Sequence, residues 1–168
     1  MPTRIGHVIA GQRRDTGDRV GPVYNPATGE QSGEVLLAPV SDVDDAGAAA
    51  RAAFPAWRMT SLSKRVEILF AFHELLKQHK DEIAATITAE HGKVLSDAGG
   101  EVARALENVE FATGIPHLLK GGHTEQASTG VDVHEIKQPL GVIAAITPFN
   151  FPAMVPLWMI PNAIATGN

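Results

Sequence analysis

The 168-residue sequence contains no cysteine, and aromatic residues make up only 5% of it. Without cysteine the chain can form no disulfide, no zinc–thiolate site and no thiolate nucleophile of its own. Positive charge is also scarce, because the net charge is −5 and no Lys/Arg cluster is longer than Arg13-Arg14. Such a surface repels phosphate backbones, so we expect no nucleic-acid partner.

Metal-binding and nucleotide-binding signatures are missing as well. The seven histidines never recur at the i, i+4 spacing with which a helix presents two metal ligands, so we predict no metal site. No G-x-G-x-x-G or Walker A pattern occurs. The apolar run near the N-terminus is too short for the core of a signal peptide, and we therefore expect a cytoplasmic protein.

The composition that remains, 44% hydrophobic and 20% charged, is typical of one globular domain or part of a larger one. The first forty residues read as short strands and turns. Within them "YNPATGE" predicts a turn between two extended segments, because Pro26 fixes φ and Gly29 can adopt a positive φ.

Three or four helical segments are predicted next. The first begins at Ser41, where "SDVD" resembles a capping box, and stops near Pro55, with Trp57 following as a core anchor. The second begins at Ser61 or Ser63 and carries a stripe that should face a partner surface. That stripe consists of Val66, Leu69, Phe70, His73 and Leu76.

"KDEIAATITAEHG" continues the second helix or begins a third one, with Gly92 as its C-terminal cap. Ser96 then caps a long helix that Pro116 bends or ends. Its apolar side is predicted to contain Val102, Leu106 and Val109 together with Phe111 or Ile115.

From Lys120 onward the pattern changes. We predict that "GGHTEQASTG" is a loop and that "VDVHEIKQP", which alternates apolar and polar residues, is a strand. The continuous apolar run "LGVIAAI" predicts a strand that is buried on both faces.

The ending, Pro139 to Asn168, has no charged residue and is long enough to span a bilayer. A membrane span is disfavoured because prolines recur at every fourth or fifth position from Pro148 to Pro161. A strand, the turn "TPFNFP" and a helix ended by Gly167 explain the segment better. In a parallel α/β sheet the loop after a strand lines the ligand crevice, where Asn150 would point.

"GVIAAITPFNFP" followed by "PNAIATGN" resembles the first strand-turn-helix unit of the cofactor domain in the aldehyde dehydrogenase superfamily. "PFNFPAMVPLWM" is similar to its CoA-acylating methylmalonate-semialdehyde dehydrogenases, although most superfamily members have Trp at the position of Phe149. The likeness covers nearly the whole chain, through "VYNPATGE", "AAARAAFPAWR", "KRVEILF", "AEHGK" and "GEVARALENVEFA".

The resemblance implies an α/β fold, namely the N-terminal part of the aldehyde dehydrogenase fold. Residues 1–168 would be an incomplete portion of the cofactor-binding domain, with helices, short strands and the first strand–helix unit of the NAD-binding Rossmann-like domain. Residues 124–139 resemble part of the oligomerisation arm. A folded chain is therefore expected to form homo-oligomers.

The resemblance also implies chemistry. In the superfamily a cysteine thiolate attacks an aldehyde, hydride passes to NAD, and the CoA-acylating branch releases the thioester to CoA. Asn150 matches the asparagine that donates to the oxyanion, and the alternative is a turn former bonding its own backbone. Thr147, Pro148 and Phe149 match the backbone beside the nicotinamide, although Phe149 could instead be a core residue.

Arg104 matches an arginine that the methylmalonate-semialdehyde branch places near the substrate carboxylate, where a guanidinium can donate to both oxygens. The alternative is an intrahelical pair with Glu101, Glu107 or Asn108. Both interpretations remain open at the level of sequence.

The resemblance names NAD as cofactor and a semialdehyde and CoA as substrates, with no membrane partner. Because the family's nucleophilic cysteine is missing, we expect the isolated chain to have no dehydrogenase activity and to bind none of these molecules tightly. The alternative function is a non-catalytic oligomerisation or interaction module derived from this fold.

Overall fold

The computed structural model describes residues 3–168, which form helices and short strands as expected. The strands are β1 (Thr3–Ile5), β2 (His7–Ile9), β3 (Gln12–Arg14), β4 (Val20–Tyr24), β5 (Gln31–Leu36), β6 (His123–Ser128) and β7 (Val131–His134). The helices are α1 (Val40–Arg58), α2 (Leu62–Gln78), α3 (Lys80–His91), α4 (Leu95–Thr113), α5 (Ile115–Leu118) and α6 (Met154–Thr166). No helix in this range combines the length and apolar character needed to cross a membrane.

The strands form three small sheets. In the first sheet β5 lies between β1, to which it is parallel, and β4, to which it is antiparallel. The predicted "YNPATGE" turn joins β4 to β5, with Gly29 at φ 74° and the Asn25 amide donating to the Glu30 carbonyl over 2.8 Å. β2 pairs with β3, and β6 with β7, as antiparallel hairpins.

The core forms around α4, which packs against α2, α3 and α6. Small side chains make this close approach possible, because Ala98, Ala105 and Ala112 on α4 are fully buried. One apolar cluster joins α4 to α3, and a second joins α2, α4, α5 and α6. The first contains Ala84, Ile87, Ala98 and Val102, and the second contains Leu69, Ala112, Ile115 and Ala165.

Two predicted helix starts were wrong. The N-cap residue of α1 is Pro39 rather than Ser41, and that of α4 is Val94 rather than Ser96. Both N-cap residues are extended, so the serines already lie within the first helical turn, where they cannot serve as N-caps. The predicted start at Ser61 is confirmed.

Helix ends and faces were predicted with mixed success. α1 continues through Pro55 to Arg58 instead of stopping near the proline. Pro55 cannot donate the helical hydrogen bond to the Arg51 carbonyl, but Arg51 is exposed, so water can bond that carbonyl instead. Phe70 is 60% exposed, so the predicted stripe on α2 is too wide. The caps at Gly92 (φ 85°) and Gly167 (φ 92°) are confirmed, since both adopt the left-handed conformation that favours glycine.

Residues 121–130 were wrongly predicted as a loop, because His123–Ser128 form β6. Every residue of β6 and β7 is exposed. Because neither face of the hairpin is buried, β6 does not need the alternation of apolar and polar residues by which a strand is usually predicted. The following strand is correct only over Val131–His134.

The predicted buried strand at residues 140–146 was also wrong. No strand within residues 3–168 pairs with this segment, and Leu140 and Ile146 are 91% and 94% exposed. A strand needs a neighbour to bond its backbone, and the segment has only a bond of 2.9 Å from the Gly141 amide to the Asn168 side chain.

The predicted last helix is confirmed as α6, although it contains two prolines. Pro156 lies in the first turn, where its missing donor costs nothing. Pro161 lies inside the helix and cannot donate to the Leu157 carbonyl. The Asn108 side chain of α4 donates to that carbonyl instead, over 2.6 Å.

The packing around Leu69 leads to a prediction about stability. Leu69 is 3% exposed between α2, α4 and α6, so Leu69→Ala should lower the free energy of unfolding by about 2–5 kcal/mol. Leu75→Ala on the same helix removes a side chain that is 54% exposed and should change it by less than about 0.5 kcal/mol. Urea unfolding of both variants measures the difference, and equal losses would contradict the placement of Leu69 in the core.

Candidate functional site

The turn between the extended segment 140–146 and α6 is the candidate site. Asn150 lies in a bend of this turn, and its side chain is exposed. Among residues 3–168 the side-chain amide of Asn150 has no hydrogen-bond partner, so the alternative of a side chain bonded to its own backbone is not observed. The amide is therefore free to donate to a ligand.

Lys93 binds the backbone of this turn. Its ammonium Nζ donates to the Asn150 carbonyl oxygen over 2.9 Å and to Glu101 Oε2 over 2.7 Å. It also lies 4.7 Å from the centre of the Phe151 ring, within the range of a cation–π contact. One cation thus contacts the turn at two successive residues.

Glu101 completes the connection from inside α4. Its side chain is 1% exposed, and Oε1 accepts the backbone amides of Ala153 over 2.8 Å and Met154 over 3.1 Å. These amides open α6, where a helix favours negative charge. Burial alone raises the pKa of Glu101, but the hydrogen bonds from Lys93 and the two amides outweigh it and hold the pKa below its ordinary value. Glu101 is therefore an anion at neutral pH.

The residues predicted to contact the cofactor lie directly before Asn150. Thr147, Pro148 and Phe149 are all exposed. Phe149 is 63% exposed within residues 3–168, its ring centre lies 5.4 Å from that of His91, and it belongs to neither apolar cluster. Beside it, a cleft of about 480 Å³ separates the turn from α3 and is lined by Ile83, Ile87, Glu90, Pro152 and Ala153, among others.

Arg104 lies on α4 and its side chain is exposed. No salt bridge of Arg104 occurs within residues 3–168, and two of its three predicted helical partners, Glu101 and Asn108, bond other residues. Glu101 bonds Lys93 and α6, while Asn108 bonds Leu157. An α-helix turns by about 100° per residue, so the side chains of Glu101 and Arg104, three residues apart, lie about 60° from each other around α4. Arg104 therefore lies at the edge of the face that contacts α6. No hydrogen bond joins Arg104 to Asn150 within the described residues.

Sequence reasoning missed Lys93 and the function of Glu101. Lys93 ends the motif "AEHGK", and Glu101 was considered only as a partner for Arg104. The contacts join residues 8, 52, 53 and 57 positions apart, which no local pattern reveals. No group of three His, Cys, Asp or Glu side chains suited to a metal ion occurs in the described range.

Comparison with known proteins gives a consistent result. The family described as "Aldehyde dehydrogenase family" matches residues 13–168. A malonate-semialdehyde dehydrogenase of Pseudomonas aeruginosa is 49% identical over 164 residues, which are 98% of this chain and 33% of the relative. The crystal structure of methylmalonate-semialdehyde dehydrogenase from Oceanimonas doudoroffii is 52% identical with a TM-score of 0.96, over 100% of this chain and 34% of that one.

A solved structure from Sinorhizobium meliloti 1021, complexed with NAD, is 46% identical with a TM-score of 0.95, again over 100% of this chain and 34% of that one. The chain therefore spans about a third of the length of the relatives it matches. Over that third, the backbone of this chain follows theirs closely.

Proposed function

Because the chain belongs to the aldehyde dehydrogenase family, we propose that it forms part of an NAD-dependent, CoA-acylating methylmalonate- or malonate-semialdehyde dehydrogenase. The observation that carries the proposal is the turn at Asn150, where the side-chain amide is exposed. Lys93 donates to the backbone of this turn, and Glu101 accepts the amide at the start of α6, which follows the turn. The names of the two relatives support the choice of substrate.

Asn150 acts in this proposal as an oxyanion donor. When a nucleophile adds to an aldehyde, the carbonyl oxygen gains negative charge, and an amide N–H held in place stabilises that charge with little rearrangement. Removing one such donor typically costs about 3 kcal/mol of transition-state stabilisation. The unpartnered Asn150 amide is suited to this role because no internal bond must break first.

Thr147, Pro148 and Phe149 are proposed to lie against the nicotinamide end of NAD, which accepts hydride in the reaction. All three residues are exposed beside Asn150, so they leave room for a flat ring along the backbone. Support comes from the relative whose structure contains NAD.

Arg104 is proposed to bind the substrate carboxylate. Its guanidinium is exposed beside the α6-facing side of α4, and no internal carboxylate occupies it within residues 3–168. A guanidinium can donate two parallel hydrogen bonds to one carboxylate, which selects a semialdehyde acid over a neutral aldehyde.

We further propose that the isolated chain has no dehydrogenase activity. The nucleophile of the family is a cysteine, and these 168 residues contain none. Asn150 can stabilise an oxyanion only where another part of the enzyme supplies the thiolate. CoA would enter as the acceptor of the resulting acyl group.

A chimera tests the role of Asn150. Residues 1–168 replace the matching third of the Oceanimonas doudoroffii enzyme, and NADH formation is followed with methylmalonate semialdehyde, NAD and CoA. We expect turnover by the chimera, a loss of about 100- to 1,000-fold in kcat for Asn150→Ala, and no activity for the isolated chain.

Asn25→Ala is the matched control, because Asn25 bonds only within the β4–β5 turn and should leave kcat unchanged. A folded chimera without turnover, or full activity of Asn150→Ala, would contradict the proposed function. Turnover by the isolated chain would contradict its proposed inactivity.

Arg104→Met in the same chimera tests the carboxylate contact. Loss of a charged hydrogen-bonding pair typically costs about 1.5–3 kcal/mol, so KM for methylmalonate semialdehyde should rise by about 10- to 100-fold. KM for propanal, which lacks the carboxylate, should change little. Arg51→Met, on the exposed side of α1, is the control. An equal rise for both aldehydes would rule out a role specific to the carboxylate.

One observation favours the interaction module as a second function. The β6–β7 hairpin is exposed over its whole length, including Val131 and Val133 at 50% and 51%, and its outer edges are unpaired within residues 3–168. Such edges can pair with another chain, so we propose that the hairpin joins copies of the protein.

Light scattering after size-exclusion chromatography tests this second function. The chain should elute as a defined oligomer, and Val133→Lys should shift it toward the monomer by placing charge in the contact. Val43→Lys changes a valine on α1 that is 64% exposed and should leave the mass unchanged. A monomeric parent chain, or an unchanged mass for Val133→Lys, would contradict the proposal.

A further inference from the structure

The ion pair between Lys93 and Glu101 is more buried than a surface pair, with side-chain exposures of 12% and 1%. It lies within residues 93–154, beneath the candidate site, and neither side chain has a role in the proposed chemistry. A buried ion pair contributes little net stability compared with apolar residues of similar size, so stability alone does not explain why this pair is present.

We propose that Lys93 and Glu101 are positioning residues that hold in place the backbone from which the Asn150 side chain extends. This inference rests on the proposed function of Asn150. Neither residue contacts the reacting atoms, and both act through the backbone of residues 150–154.

The first step of the argument concerns α6. Glu101 Oε1 accepts the amides of Ala153 and Met154, which fixes the N-terminus of α6 against α4. Because the carboxylate is buried in α4, it cannot follow a displaced turn without leaving its own cavity. The end of the turn is therefore held relative to the core.

The second step concerns the start of the turn. The Lys93 ammonium is bonded to Glu101 Oε2 and also to the Asn150 carbonyl, so it joins the peptide plane after Asn150 to the same carboxylate. With this peptide plane and the Ala153 amide both held, residues 150–153 form a closed loop. The Cα atom from which the Asn150 side chain extends belongs to this peptide plane and is therefore held relative to α4.

Charge explains why neutral replacements should fail. Removing Lys93 leaves the Glu101 carboxylate buried without its cation, and removing the charge of Glu101 leaves Lys93 to bind the Asn150 carbonyl alone. The contact of Lys93 with the Phe151 ring also requires a cation. Arginine keeps the charge and can reach both acceptors, so it should preserve the arrangement in part.

NMR spectroscopy of the full 168-residue chain tests the inference without substrate or cofactor. The order parameter of the Phe151 backbone N–H bond, which lies in the peptide plane after Asn150, should be near the value of about 0.85 found for rigid backbone and fall below about 0.6 in Lys93→Met. Lys93→Arg should recover part of the loss, and Lys64→Met, an exposed change on α2, should have no effect. An unchanged order parameter in Lys93→Met would overturn the inference. If Lys93→Met does not fold, the same order parameter is measured in Glu101→Gln, which keeps the side-chain shape and removes the charge, and the same decrease is expected.

A double-mutant cycle in the chimera separates positioning from general stabilisation. Lys93→Met should lower kcat by up to about 100-fold when Asn150 is present, since a displacement of about 1 Å can have that effect, and should have almost no effect in the Asn150→Ala background. Additive losses would show that Lys93 acts independently of Asn150 and would overturn the inference. A normal kcat for Asn150→Ala alone would instead contradict the proposed function, while the NMR result would still decide whether the ion pair holds the turn.

Discussion

The Glu101 carboxylate holds together the parts of the chain on which the candidate site depends. It receives the ammonium of Lys93 from the segment before α4 and the two amides that open α6. A carboxylate in this position must stay charged, since its lowered pKa reflects three donors that favour the anion over the effect of burial. The turn that carries Asn150 is therefore located by electrostatics from within the helical core.

This electrostatic contact requires close packing between helices. The small side chains of Ala98, Ala105 and Ala112 let α4 approach its neighbours, and α6 lies near enough for the Asn108 side chain to bond the carbonyl that Pro161 leaves free. A proline inside a helix usually breaks it. Here the cost is offset by a partner from another helix, so the proline-rich ending can form α6 without losing its place on α4.

Much of the local structure could be predicted because its causes lie within a few residues. Gly92 and Gly167 end helices through their own backbone conformation, and the Asn25–Glu30 turn closes on its own hydrogen bonds. The proposed site residues Asn150 and Arg104 were chosen by motif resemblance, which does not reveal their surroundings. Lys93 could not be found this way, since its partners lie 8 and 57 residues further along the chain.

The incorrect prediction of a strand at residues 140–146 has its cause in long-range pairing. The apolar run at 140–146 has the composition of a strand covered on both faces, yet it pairs with no strand within residues 3–168. An apolar groove of about 610 Å³ lies beside it, between α1 and α6, and is lined by Phe54, Trp57, Val142, Ile143 and Ile160, among others. An apolar composition shows that a segment could form a buried strand, but the strand forms only where a neighbouring strand pairs with it. The Asn150 turn does not need that pairing, because Lys93 and Glu101 hold it from the opposite side, against α4. The geometry around Asn150 therefore does not depend on strand pairing of residues 140–146.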